Sequence, residues 1–109
     1  MPQWFEAGRI GDIAERDWTV LIVNGTEIAI FRLDGEYFAI EDVCSHYGSP
    51  LSTGWLEGDH IVCPRHLAEF CVRTGSVRKA PAHAPVHSFP VRVREGIIEV
   101  CDDRPGSCA

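Results

Sequence analysis

Cys44-Ser45-His46 and Cys63-Pro64-Arg65-His66 bracket the stretch CSHYGSPLSTGWLEGDHIVCPRH, residues 44–66, which decides how the whole chain is read. The pattern is C-x-H, sixteen intervening residues (47 to 62), then C-x-x-H. Each pair joins one thiol to one imidazole. Two such pairs on facing loops make a mixed-ligand metal site with Cys44, His46, Cys63 and His66 as candidate ligands. Zinc accepts two cysteines and two histidines, but its familiar spacing groups a Cys pair and then a His pair. Mixed pairs instead let both cysteines meet on one iron and both histidines on the other, the ligand set of a [2Fe–2S] centre that carries one electron at a time. A zinc-stabilised binding module with no redox role stays as the rival reading.

Outward from this stretch the chain looks like a β scaffold. Val20–Val23 and Ile28–Leu33 flank Asn24-Gly25, and Asp34-Gly35 leads into Tyr37–Ile40. Asn-Gly and Asp-Gly between β-branched runs are strong hairpin signals, so 19–40 is expected to be a three-stranded meander. Residues 2–6 are expected as a first short strand and 8–17 as a turn. Between the ligand pairs, Gly48, Pro50, Gly54 and Gly58 give turn chemistry, with a helical turn possible within 51–56. Ile61-Val62 should lead into the second pair and Phe70–Val72 out of it. Lys79–Pro85 is expected as an extended loop. Val86–Val93 and Ile97–Cys101 are expected as a last hairpin turning at Glu95-Gly96, with Pro90 marking an edge strand. About eight short strands with frequent turns predict an all-β, antiparallel sandwich or barrel-like fold.

The chain has 109 residues, which sets one domain, expected over 1–103 with a short polar tail at 104–109. The net charge of −6 argues against nucleic acid or an anionic membrane as partner. Five cysteines, at 44, 63, 71, 101 and 108, follow no disulfide spacing. No basic stretch followed by an apolar run opens the chain, and no run approaches the ~20 apolar residues of a membrane span. A cytoplasmic, reducing location and a monomeric state are expected. Cys71 and Cys101 are expected to pack as small apolar groups, and Cys108 to be an exposed thiol. His60, His83 and His87 are expected to be ordinary strand and loop histidines. Trp55 is either a cluster shield, a docking surface or a core plug. Glu41, Asp42, Glu57 and Asp59 flank the loops as solvated charge with a possible docking role. Gly48, Gly54 and Gly58 are candidate N–H donors to sulfide, against the alternative that they relieve positive φ.

The ligand spacing resembles the Rieske family. From about Ile28 to Val100 the match resembles its small soluble ferredoxins, which serve bacterial aromatic-ring dioxygenases of the biphenyl, naphthalene and carbazole type. CSHYGSPLSTGWLEGDHIVCPRH, EFCVRTG, APA and FPVRVREGIIEV carry the likeness. The resemblance implies a Rieske-type β-sandwich with a small cluster-binding subdomain made of two loops. It implies a Rieske-type [2Fe–2S] cluster held by Cys44, His46, Cys63 and His66, and a proline loop at Ala80-Pro81-Ala82 that covers it. It also implies an electron carrier, not an enzyme, between a flavin-dependent ferredoxin reductase and a terminal oxygenase. A small Rieske-type subunit of another redox system, such as an assimilatory nitrite reductase, is the alternative.

The departures are specific. High-potential members join the two loops by a disulfide, and the matching positions here are Ser49 and Arg65. Their Ser and Tyr donors to sulfur are matched by Ala68 and Phe70, which have no hydroxyl. Fewer donors destabilise the reduced form, so the potential is expected at the low end of the Rieske range, on the order of −150 mV. The family's Gly after the second histidine is Leu67 here. A left-handed backbone there costs leucine roughly 1–2 kcal/mol.

Overall fold

Asn24-Gly25 and Asp34-Gly35 each turn the chain with two consecutive positive φ values, 50° and 78°, then 54° and 76°. That is the turn geometry whose twist matches paired strands. The structure, a computed structural model, describes residues 3–44, 50–65, 67–79 and 84–103. The turns link β2 (Trp18–Val23), β3 (Thr26–Leu33) and β4 (Glu36–Glu41) in the expected meander. β1 spans Gln3–Arg9, longer than expected. It continues through Gly8, where the register slips by one residue and φ is 139°.

Past the first ligand pair come a 3-10 turn (Leu51–Thr53), β5 (Trp55–Glu57), β6 (His60–Val62), β7 (Glu69–Cys71) and β8 (Val77–Lys79). The helical turn expected within 51–56 is the 3-10 turn, and Trp55 and Leu56 belong to a strand. β8 is also new. Both β5 and β8 are three-residue strands with no alternation long enough to register in the sequence.

The expected last hairpin divides at Pro90. β9 (Ser88–Phe89) pairs with β4, whereas β10 (Val91–Arg94) pairs with β11 (Ile97–Asp102). Proline has no N–H for a ladder, so the chain changes sheets there, and Pro90 is a break between strands. Asp102 ends β11 fully buried and accepts a hydrogen bond from Asn24 Nδ2 at 3.0 Å. Residues 104–109 lie outside the described residues.

The strands form three antiparallel sheets, ordered β1-β11-β10, β2-β3-β4-β9 and β5-β6-β7-β8. The second is the middle layer. Ile28 and Ile30 pack with Ile98 and Val100 of the first sheet. Ala29, Phe31 and Leu33 point the other way, to Ile61, Phe70 and Leu51. All four residues from Ile28 to Phe31 are fully buried. A strand covered on both faces needs no polar alternation, which is why IAIF reads as a continuous apolar run. The all-β class holds. The third sheet is the added layer that follows the first candidate cysteine, Cys44, and leads into the second, Cys63. β1 and β11 run antiparallel with Gln3 opposite Asp102.

Candidate metal centre

Cys44 leaves the end of β4 and Cys63 leaves the end of β6. Both are buried, 2% and 1% exposed, and both belong to the apolar cluster of Phe31, Leu51, Phe70 and Val72. The layering explains this. The middle sheet delivers the first cysteine and the outer sheet the second, and the core between the sheets draws them into one environment. His46 and His66 lie outside the described residues, as do Gly48, Ser49 and the proline segment 80–82.

Backbone contact holds the two loops together at their bases. A Cβ on Gly54 would stand 1.8 Å from the carbonyl oxygen of Val62, the residue before Cys63. No side chain fits there, so the return limb of the first loop lies directly on the strand that feeds the second. The Gly54 N–H is already donated to the Leu51 carbonyl at 3.0 Å. Gly58 turns β5 into β6 with φ 62°. Neither glycine's placement needs a sulfide acceptor: one permits close approach and the other a positive φ.

The second loop closes on itself. The Cys63 N–H donates to the Ala68 carbonyl at 2.8 Å, and the Leu67 N–H donates to the Cys63 carbonyl at 2.9 Å. Leu67 takes φ 63° and is half exposed. The loop thus keeps the left-handed backbone that glycine would favour, and leucine bears the strain. Ala68 and Phe70 are fully buried and bring no hydroxyl to the site. Arg65 stands exposed at the matching position of the second loop, so no cysteine is present there for a bridge.

The first loop is held differently. Asp42 is 5% exposed, and its two oxygens accept from the backbone N–H and the hydroxyl of Ser52, each at 2.6 Å. It is a buried anchor, not the solvated charge expected from sequence. Glu41 is also engaged, accepting from the His87 N–H at 3.2 Å. Asp59 meets His60 at 3.0 Å and Arg73 at 3.6 Å. His60 lies between Asp59 and Glu69, and His87 meets Asp103 at 2.8 Å, so both are partnered surface histidines. Trp55 is exposed and its indole N–H reaches Glu57 Oε1 at 3.2 Å, which rules out the core-plug reading. Cys71 and Cys101 are buried apolar packers, as expected. Cys108 and His83 lie outside the described residues.

This setting suits an iron–sulfur cluster. Its donor set offers two thiols, shielded from water, on loops of different sheets whose bases touch. The anchoring role of Asp42 was missed in sequence because nothing there announces a buried acid, whereas the strained turn at Leu67 was visible as a leucine where the family has glycine.

A family model described as the Rieske [2Fe–2S] domain matches residues 3–90. The ferredoxin component of the naphthalene 1,2-dioxygenase system of Pseudomonas putida is 36% identical over 91 residues, 84% of this chain and 88% of that protein. The anthranilate 1,2-dioxygenase ferredoxin subunit of Burkholderia cepacia is 34% identical, covering 92% of this chain and 93% of the relative. Among solved structures, a complex of reduced oxygenase and oxidized ferredoxin in carbazole 1,9a-dioxygenase aligns with a TM-score of 0.85. The identity is 33%, over 89% of this chain and 91% of that one.

Proposed function

The chain belongs to the Rieske [2Fe–2S] domain family, and we propose that within it the chain is the ferredoxin of a multicomponent aromatic-ring dioxygenase. It is an electron carrier with a Rieske-type [2Fe–2S] cluster and catalyses no substrate chemistry of its own. The proposed donor is a flavin-dependent ferredoxin reductase and the proposed acceptor a terminal oxygenase. The observation that carries this is the burial of Cys44 and Cys63 in one core, within a chain that aligns almost end to end with dioxygenase ferredoxins.

Cys44 and Cys63 are the proposed ligands of one iron, and His46 and His66 of the other. When bound, the cluster supplies a one-electron site. The chain's own residues do the rest. The apolar packing of Leu51, Phe70 and Val72 excludes water from the cysteine side, and the two loop closures fix where the thiols stand. Without hydroxyls at Ala68 and Phe70, the site gives less stabilisation to the reduced state, which favours a low potential.

Residues 1–103 are proposed as the single functional domain, with 104–109 as its tail. The described strands end at Asp102, which supports this boundary. No helix among the described residues is long and apolar enough to cross a membrane. The four described cysteines are free, which fits the proposed reducing, cytoplasmic setting, and a monomeric shuttle is proposed.

The test combines three measurements on anaerobically purified protein. Iron and acid-labile sulfide should be present in equal amounts. Dithionite should bleach the visible spectrum and give the low average g value of mixed His/Cys ligation. Reduced protein should then be reoxidised by a terminal aromatic-ring oxygenase with its substrate. Electron delivery to a nitrite reductase, and to no such oxygenase, would sink the proposal.

A further inference from the structure

We propose that Asp42 is a positioning residue for the cluster: through Ser52 it closes the first ligand loop and fixes where Cys44 stands. This rests on the reading of Cys44 as a ligand.

Asp42 lies two residues before Cys44 and ten before Ser52, so the pair brackets the loop. A buried carboxylate is costly unless its oxygens are hydrogen-bonded. Here both are taken by a single residue, one by its N–H and one by its hydroxyl, at 2.6 Å each. Short bonds to a charged acceptor belong to the strong class. Two bonds to one residue set direction as well as distance.

Asp42 itself does not move freely. Its N–H donates to the Glu27 carbonyl of β3 at 2.9 Å, and the Glu41 N–H donates to the His87 carbonyl at 2.9 Å. The start of the loop is therefore part of the middle sheet. Ser52 is held from a third side, because its carbonyl accepts the Trp18 indole N–H at 3.0 Å. Trp18 of β2 and Asp42, the residue after β4, both hold this one serine of the 3-10 turn. The neighbouring Leu51 is fully buried in the same apolar cluster as Cys44 and Cys63. A loop whose ends are already joined has lost most of its closure entropy before any iron arrives. Asp42 thus transfers the rigidity of the sheet to the loop, and through it to the thiol.

The experiment uses reconstituted holoprotein and reads cluster lifetime under an iron chelator, together with the g values of the reduced form. Asp42→Ala removes both bonds to Ser52 and should lose its cluster roughly tenfold faster. Its g values should spread. Asp42→Asn can still meet both Ser52 groups, so its lifetime should stay within about twofold of the parent. Val23→Ala, in the other core, should lower the melting temperature and leave lifetime and g values unchanged. Parent-like lifetime and g values in Asp42→Ala would overturn the inference. So would a Val23→Ala protein that sheds its cluster as fast as Asp42→Ala. If Asp42→Ala yields no folded protein, Ser52→Ala removes the hydroxyl alone and should shorten the lifetime roughly threefold. No change there overturns the inference too. Cys44→Ser separates the two levels: a retained cluster with the parent spectrum sinks the ligand assignment. A lost cluster beside a parent-like Asp42→Ala sinks this inference alone.

Discussion

The two ligand loops are closed by different means. The first uses a side chain, the Asp42 carboxylate on Ser52. The second uses the main chain, with Cys63 bonded to Ala68 and Leu67 bonded back to Cys63. A side-chain closure can be removed by one substitution. A main-chain closure survives most substitutions and registers only those that change backbone freedom. Stability is therefore expected to respond to sequence at opposite kinds of position in the two loops.

Loss of either proposed thiolate is the largest effect. Cys44→Ser and Cys63→Ser should each abolish the cluster, seen as absence of the visible spectrum and of iron after reconstitution; a full complement in either would break the assignment. Next comes the contact between the loops. Gly54→Ala must push the loop off Val62, at a cost of about 2–4 kcal/mol in denaturant unfolding. A cost below ~1 kcal/mol would mean the two loops are not fixed to each other there.

The main-chain loop should respond with the opposite sign. Leu67→Gly relieves a left-handed backbone worth roughly 1–2 kcal/mol and gives back part of it as chain entropy. A net gain of about 1 kcal/mol is expected by the same measurement. A loss would show that the half-exposed leucine side chain holds the loop by packing.

Glu15 gives the smallest effect, and it uses the same device as Asp42 in the open. Its carboxylate accepts the N–H groups of Gly35 and Asp34 at the β3–β4 turn. Those two backbone bonds, the Gly35 bond first, hold its pKa below the ordinary glutamate value, with Arg32 and Arg16 adding to the shift. Because the folded pKa is depressed, the contribution is present above the ordinary value and is lost as pH falls through the folded one. In an acid titration followed by NMR, the Gly35 amide should report a midpoint below that of a free glutamate. Glu15 is exposed, so Glu15→Gln should barely change stability at neutral pH. An unshifted midpoint would remove Glu15 from the comparison.

Much of the scaffold was legible because its signals are local. Asn24-Gly25, Asp34-Gly35 and Glu95-Gly96 all turn with positive φ at both residues. The candidate ligand pairs stood out because two thiols and two imidazoles in that spacing admit few chemistries. Three features were not. The change of sheet at Pro90 depends on which neighbour each half-strand finds, and a single strand does not encode that. The burial of Asp42 depends on Ser52, ten positions away with nothing periodic between them. The closeness of Gly54 to Val62 is a distance between backbones, for which the sequence shows one glycine among several.

Gln3 and Asp102 stand opposite each other at one end of the β1–β11 ladder. The chain thus enters and leaves its described portion side by side, on the sheet that does not carry the ligand loops. Neighbouring ends make a unit easy to splice into a longer polypeptide. A cargo fused to either one would hang from the same rim of that sheet.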